Sequence, residues 1–123
     1  MRAVIQRVAT ASVEIDGERV AAIGQGLLVL LGLDREDDTG SARRMLEKLL
    51  AYRVFSDEAG RMNRSVVDVA GGVLLVSQFT LSADTRKGLR PGFSAAMPPG
   101  EAEPLFDYLL AELRARHPRV EAG

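Results

Sequence analysis

Ser77-Gln78-Phe79-Thr80 puts two hydroxyls, an amide and an aromatic ring into four consecutive positions, enough to hydrogen-bond and stack on a nucleotide. If the segment is a regular strand, alternation sends Gln78 and Thr80 to one face and Ser77 and Phe79 to the other. The same residues also suit a plain sheet strand with Phe79 in the core, and the pattern alone leaves both readings open. A few residues on, Arg86-Lys87-Gly88-Leu89-Arg90 gathers three cations around a glycine, which fits either a phosphate backbone or a solvated loop. Pro91-Gly92-Phe93-Ser94 adds an aromatic ring that serves the same contact or anchors the loop to the core. Arg7 lies in an apolar stretch, where a guanidinium either reaches back to solvent or is held by a fixed acceptor.

Absent residue types bound the chemistry as firmly. The sequence has no Cys and one His, which rules out disulfides, thiolate nucleophiles and clusters of Cys or His around a metal. His117 follows the last helical turn and is expected to meet the helix's negative end, with no catalytic role. With 16 Lys and Arg against 17 Asp and Glu, no global basic field exists, so any RNA contact must use a local patch. The first residues lack the apolar stretch of a signal peptide, and no apolar run reaches the roughly 18 residues of a membrane span. The expectation is a cytoplasmic protein with no membrane partner.

The elements that must hold these residues follow from periodicity. Between Ala11 and Ile23 polar and apolar residues alternate around Asp16-Gly17, a pair suited to the left-handed angles of a two-residue hairpin turn. Gly26 to Leu33 is apolar on both faces and short, which predicts a buried strand in the middle of a sheet. Cap-type residues from Asp34 to Thr39 precede an amphipathic helix whose stripe is Ala42, Met45, Leu46, Leu49 and Leu50. Tyr52 to Asn63 reads as strand, turn at Gly60 and short return. Gly71-Gly72 then releases a second apolar strand, Val73 to Leu81, followed by a long connection from Ser82 to Gly100. A last helix carries Ala102, Leu105, Phe106, Leu109, Leu110 and Leu113, with Pro104 expected in its first turn and His117-Pro118 at its end. At 123 residues without repeat or linker, this predicts a single α+β domain, residues 1–123, with an antiparallel-rich, barrel-like sheet core and two amphipathic helices.

Taken together, the motifs carry a resemblance. Ile5-Gln6-Arg7-Val8, Ala11-Ser12-Val13, the Gly26–Gly32 run, Arg61-Met62-Asn63, Ser77-Gln78-Phe79-Thr80-Leu81 and Arg90-Pro91-x-Phe93-Ser94 stand in the order of the D-aminoacyl-tRNA deacylase family's motifs, and Met1 to about Leu113 resembles that family almost without gaps. The resemblance implies a hydrolase that proofreads by cleaving the ester between a D-amino acid and the 3′-terminal adenosine of tRNA. It also implies a homodimer with active sites at the subunit interface, no metal or other cofactor, and an adenosine pocket built around Gln78 and Phe79. Gln78, Phe79 and Thr80 are thereby the catalytic candidates, and Arg7, Ser77, Arg90, Pro91 and Phe93 the substrate-binding ones. Gly92 stands where the family's Arg-Pro-Ser-Phe motif has serine. The family's further C-terminal strand, with its Gly-cisPro pair that excludes L-amino acids, has no counterpart before Gly123, so weakened chiral selection is expected of the chain as given.

An aminoacyl ester is activated enough to need only a positioned water, an oxyanion site and help with proton transfer. A threonine nucleophile needs an adjacent base, which no Cys or neighbouring His supplies, so Thr80 is expected to position rather than attack. The resemblance suggests instead that the adenosine's vicinal 2′-hydroxyl orients or activates the water, with backbone N–H groups near Phe79 and Thr80 stabilising the oxyanion. The rival reading is a non-catalytic RNA-binding or dimerisation module using the same aromatic and basic residues without turnover.

Overall fold

The Asp16-Gly17 pair turns as its residue types require: φ is 51° at Asp16 and 82° at Gly17, the left-handed angles of a type I′ turn. It joins β2 (Ala11–Ile15) to β3 (Glu18–Ile23), with a register shift between Val13 and Glu14. The computed structural model describes residues 1–78 and 96–123. Within them β1 (Arg2–Val8), β4 (Gly26–Gly32), β7 (Gly72–Ser77) and β8 (Val120–Ala122) form one sheet in the order β1-β4-β7-β8. The run from Gly26 is therefore paired on both sides, as its two apolar faces demand. A short antiparallel pair, β5 (Phe55–Ser56) and β6 (Met62–Arg64), stands apart, and β3 lies against β7 and β8.

Helix α1 (Thr39–Ala51) connects the end of β4 to the later strands, and α2 (Pro99–Arg116) leads from β7 to β8. Each helix thus serves as a crossover, and a crossover returns a strand in parallel. β4 pairs with β7 and β7 with β8 in parallel, while β1–β4, β2–β3 and β5–β6 are antiparallel. Antiparallel pairings outnumber parallel ones among the described residues, but the four-stranded sheet is mixed.

Leu27, Val29 and Leu31 of β4 and Val73 and Leu75 of β7 point to one face, where they pack with Ala42, Leu46 and Leu49 of α1 and Leu109 and Leu113 of α2. All are fully buried. Asp38 caps α1 reciprocally: its carboxylate accepts from the Ser41 N–H and its own N–H donates to the Ser41 hydroxyl, each at 2.9 Å. The second helix starts earlier than its sequence suggests, at Pro99, the first helical position where a missing N–H costs nothing. Pro104 consequently falls in the second turn rather than the first and leaves the Gly100 carbonyl without its helical donor; both residues are exposed, so solvent serves it.

Candidate functional site

The C-terminal end of β7 delivers Ser77 and Gln78 to one edge of the sheet. The Gln78 N–H donates to the Leu31 carbonyl at 2.7 Å, and when the described chain resumes, the Met97 N–H donates to the Leu33 carbonyl at 3.0 Å. Ala96 also bridges Asp34. Both flanks of residues 79–95 are therefore fastened to carbonyls two positions apart at the end of β4. Phe79, Thr80, Arg90, Pro91 and Phe93, together with Arg86 and Lys87 of the basic cluster, lie outside the described residues.

Ser77 opens onto a cleft of about 320 Å³ against α2, lined also by Met97, Pro99, Ala102, Glu103 and Phe106. Ala102 and Phe106 read in the sequence as core stripe, and both are only half-buried here. Glu103 gave no signal in the sequence, because only the packing of α2 beside β7 brings its carboxylate to this edge. It is the one ionisable side chain lining this cleft among the described residues.

Arg7 is held by a fixed acceptor: its Nη1 donates to the Val54 carbonyl at 2.9 Å, beside a depression lined by Ile5, Met45, Tyr52 and Val54. Within one chain it is far from Gln78. Arg7 pairs with Leu27 whereas Gln78 bonds to Leu31, four positions along β4, which is roughly 13 Å at ~3.3 Å per residue. His117 is farther still. Its backbone N–H caps α2 through Leu113, but its ring is buried and its Nε2 donates to the Gly71 carbonyl at 2.6 Å, so the ring serves the start of β7 and not the helix end. The length of β7 separates it from Gln78, about 20 Å at ~3.3 Å per residue.

One cation does stand near the Gln78 edge. The α-ammonium of Met1 lies between Asp34, with Oδ2 at 2.8 Å, and Asp37. Burial works against its charge, but hydrogen bonds to Asp34 and Asp37 and the nearby carboxylate charges outweigh that and raise its pKa above the ordinary 8.0. A folded-state value above the unfolded one contributes stability that is complete below pH 8.0 and lost as pH rises through the folded value. Urea midpoints are therefore expected to fall on the alkaline side of 8.0; a flat profile from pH 7 to 10 would show the pair to be energetically silent.

Comparison with known proteins finds relatives over the whole length of the chain. The family model described as D-Tyr-tRNA(Tyr) deacylase matches residues 4–123. A D-aminoacyl-tRNA deacylase of Stutzerimonas stutzeri (strain A1501) is 62% identical over 123 residues, which is 100% of this chain and 85% of that protein. Among solved structures, one titled "c-Myc DNA Unwinding Element Binding Protein" superposes with a TM-score of 0.95 at 42% identity, covering 100% of this chain and 84% of its own. A second, a "probable eukaryotic D-amino acid tRNA deacylase", shares the fold alone, with a TM-score of 0.76 at 17% identity over 92% of this chain and 66% of that one.

Proposed function

Because the chain belongs to the D-Tyr-tRNA(Tyr) deacylase family, we infer that its reaction is D-aminoacyl-tRNA deacylation: water cleaves the ester joining a D-amino acid to the terminal adenosine of tRNA. The observation that carries this reading is the extent of the match, residues 4–123, which takes in both anchors of the candidate segment and the residues between them. Gln78, Phe79 and Thr80 are proposed to hold the adenosine and ester, with Ser77, Arg90, Pro91 and Phe93 as the surrounding substrate contacts. Backbone N–H groups near Phe79 and Thr80 would then meet the oxyanion, a role that needs placement rather than an ionisable side chain.

A homodimer is proposed on two grounds. The sheet face away from the helices carries Val4, Leu30 and Val76 in one register row with Leu28 on the same face of β4, and Val4 is 49% exposed while the others are half-buried. Arg7 and Gln78 also lie at opposite ends of one chain's sheet, and a two-fold axis perpendicular to the strands would set one subunit's Arg7 end toward its partner's Gln78 end.

The test is direct. Purified chain is expected to release the amino acid from D-Tyr-tRNA with multiple turnovers and to sediment at twice its 13.3 kDa. Retention of tRNA on a filter without any release would favour a non-catalytic RNA-binding module instead. Sedimentation at a single chain's mass with full turnover would remove the dimer from the account.

A further inference from the structure

Helix α1 ends beside β1, and the seam between them is open. A depression of about 350 Å³ runs there along β1 from Ala3 to Arg7, with Ile5, Met45 and Leu49 as its apolar floor. Arg7, Lys48 and Tyr52 rim it, all three exposed, and Tyr52 is 54% exposed although its ring is apolar. Tyr52 is the C-cap of α1, where its carbonyl accepts from the Val54 N–H at 3.2 Å. The Val54 carbonyl in turn takes one of the five Arg7 donors at 2.9 Å, so the ring and the guanidinium are set by one short turn. Lys48 stands four residues before Tyr52, in the last turn of the helix and so on the same side of it. Among the described residues no carboxylate lines the depression, and neither Arg7 nor Lys48 pairs with one. Glu47, the neighbour of Lys48, turns instead to α2, 3.7 Å from Arg116. The C-terminal end of α1 supplies about half a negative charge, against two whole positive ones. In a chain whose formal net charge is −1 this is a local positive excess, and only the fold makes it, since its cations come from β1 and α1.

An exposed ring above an apolar floor, with unpaired cations at the rim, is what a single-stranded nucleotide requires: the base stacks and the phosphate takes charge-assisted hydrogen bonds. A second copy of the chain fits worse, because an apolar surface closed over the depression strips water from two cations and gives them no partner. We propose that this depression holds an unpaired nucleotide of the tRNA acceptor end, its base on Tyr52 and its phosphate on Lys48 and Arg7. The naming of tRNA rests on the functional reading above; the fit to an unpaired nucleotide does not. Ala3 pairs with Leu31, and the Leu31 carbonyl also accepts from the Gln78 N–H, so the near end of the depression and the candidate site flank β4 at the same level. Two strand spacings of ~4.8 Å separate them by about 10 Å, the rise of about three stacked nucleotides at ~3.4 Å each. The nucleotides that precede the terminal adenosine are therefore within reach. Ala3 and Ile5 alternate with Val4 along β1, so pairing of two chains through the Val4 face leaves the depression open.

Binding of uncharged tRNA(Tyr) tests this without hydrolysis. Tyr52→Ala is expected to weaken binding at least about tenfold and Tyr52→Phe less than about twofold, because stacking needs the ring and not the hydroxyl. Lys48→Gln should flatten the log–log salt dependence by about 0.7, the slope of one phosphate on a single strand. Lys48 is exposed, so its variant keeps the test sharp where Tyr52→Ala loosens the helix end. With a tRNA trimmed of its unpaired 3′ nucleotides, all three variants should match the parent within about twofold, since the contact they alter is gone. Unchanged affinity and salt slope in Tyr52→Ala and Lys48→Gln, equal losses on the trimmed tRNA, or no measurable binding of tRNA by the parent would overturn the proposal. A lower sedimenting mass in the variants would overturn it too, by assigning the depression to a second copy of the chain. Failure of the parent to hydrolyse D-Tyr-tRNA while these differences in binding hold counts against the functional reading alone.

Discussion

Gly26→Ala is expected to lower the melting temperature by about 10 °C or more, because overpacking that displaces backbone costs about 3 kcal/mol or more and each kcal/mol moves a domain of this size by several degrees. A Cβ at Gly26 would sit 1.9 Å from the Gly72 carbonyl oxygen and 2.7 Å from that residue's carbonyl carbon and nitrogen. No rotamer relieves this, since the obstacles are main-chain atoms of the paired strand. β4 and β7 would have to part where they begin, at the pair Gly26–Gly72, and the core residues Leu27 and Val73 stand next in the register. Gly72→Ala is a milder change, as its Cβ meets the Ile23 side chain at 3.0 Å rather than main-chain atoms at 1.9 Å. Gly24→Ala, with nothing within 4 Å, is the control and should leave stability nearly unchanged. Equal melting temperatures for all three variants would mean that the close crossing of β4 and β7 is not a constraint on the fold.

That crossing also marks where sequence reading stops. Asp16-Gly17 announces its turn because the left-handed angles it requires are ones these two adjacent residue types adopt readily. Gly26 and Gly72 bound two apolar runs, but their closeness is a property of the pair, invisible to a pattern along one chain. The direction of the β4–β7 pairing is likewise not written in either run: an apolar strand reads the same whether its neighbour is parallel or antiparallel, and only the placement of α1 as a crossover decides. β8 has three residues, too few for a period to emerge. Pro98-Pro99-Gly100 reads as loop, which hid the first turn of α2. At the candidate site Ser77 and Gln78 are legible from residue type at a strand end. Glu103 is not, because it comes from another element, and Met1 is not, because its contribution is a main-chain nitrogen rather than a side chain.

A tRNA ending in 2′-deoxyadenosine, with the D-amino acid on the 3′ oxygen, is expected to be bound but hydrolysed 10²- to 10³-fold more slowly, the range lost when a positioned proton acceptor is removed. The placement of the ionisable groups motivates this. The one histidine of the sequence is buried with its Nε2 donating to the Gly71 carbonyl, the length of β7 away from Gln78 within one chain, so its ring is not presented to a water at the proposed ester site. Ser77 and Gln78 do not titrate in the working range, and the Met1 ammonium is engaged by Asp34 and Asp37. The substrate's own 2′-hydroxyl lies beside the reacting carbon in every aminoacyl-tRNA, so a pocket that fixes the adenosine fixes this group too. Thr80→Ala should accordingly cost less than about tenfold in kcat, while Gln78→Ala, given the adenosine-holding role proposed for it, should cost more. Among the described residues Glu103 is the competing base, since its carboxylate lines the cleft that Ser77 opens onto. Glu103→Gln is expected to leave kcat within about threefold of the parent, far short of the loss that follows removal of a general base. Undiminished turnover of the deoxy substrate, joined to a collapse of activity in Glu103→Gln, would move the proton-accepting role from the substrate to the protein.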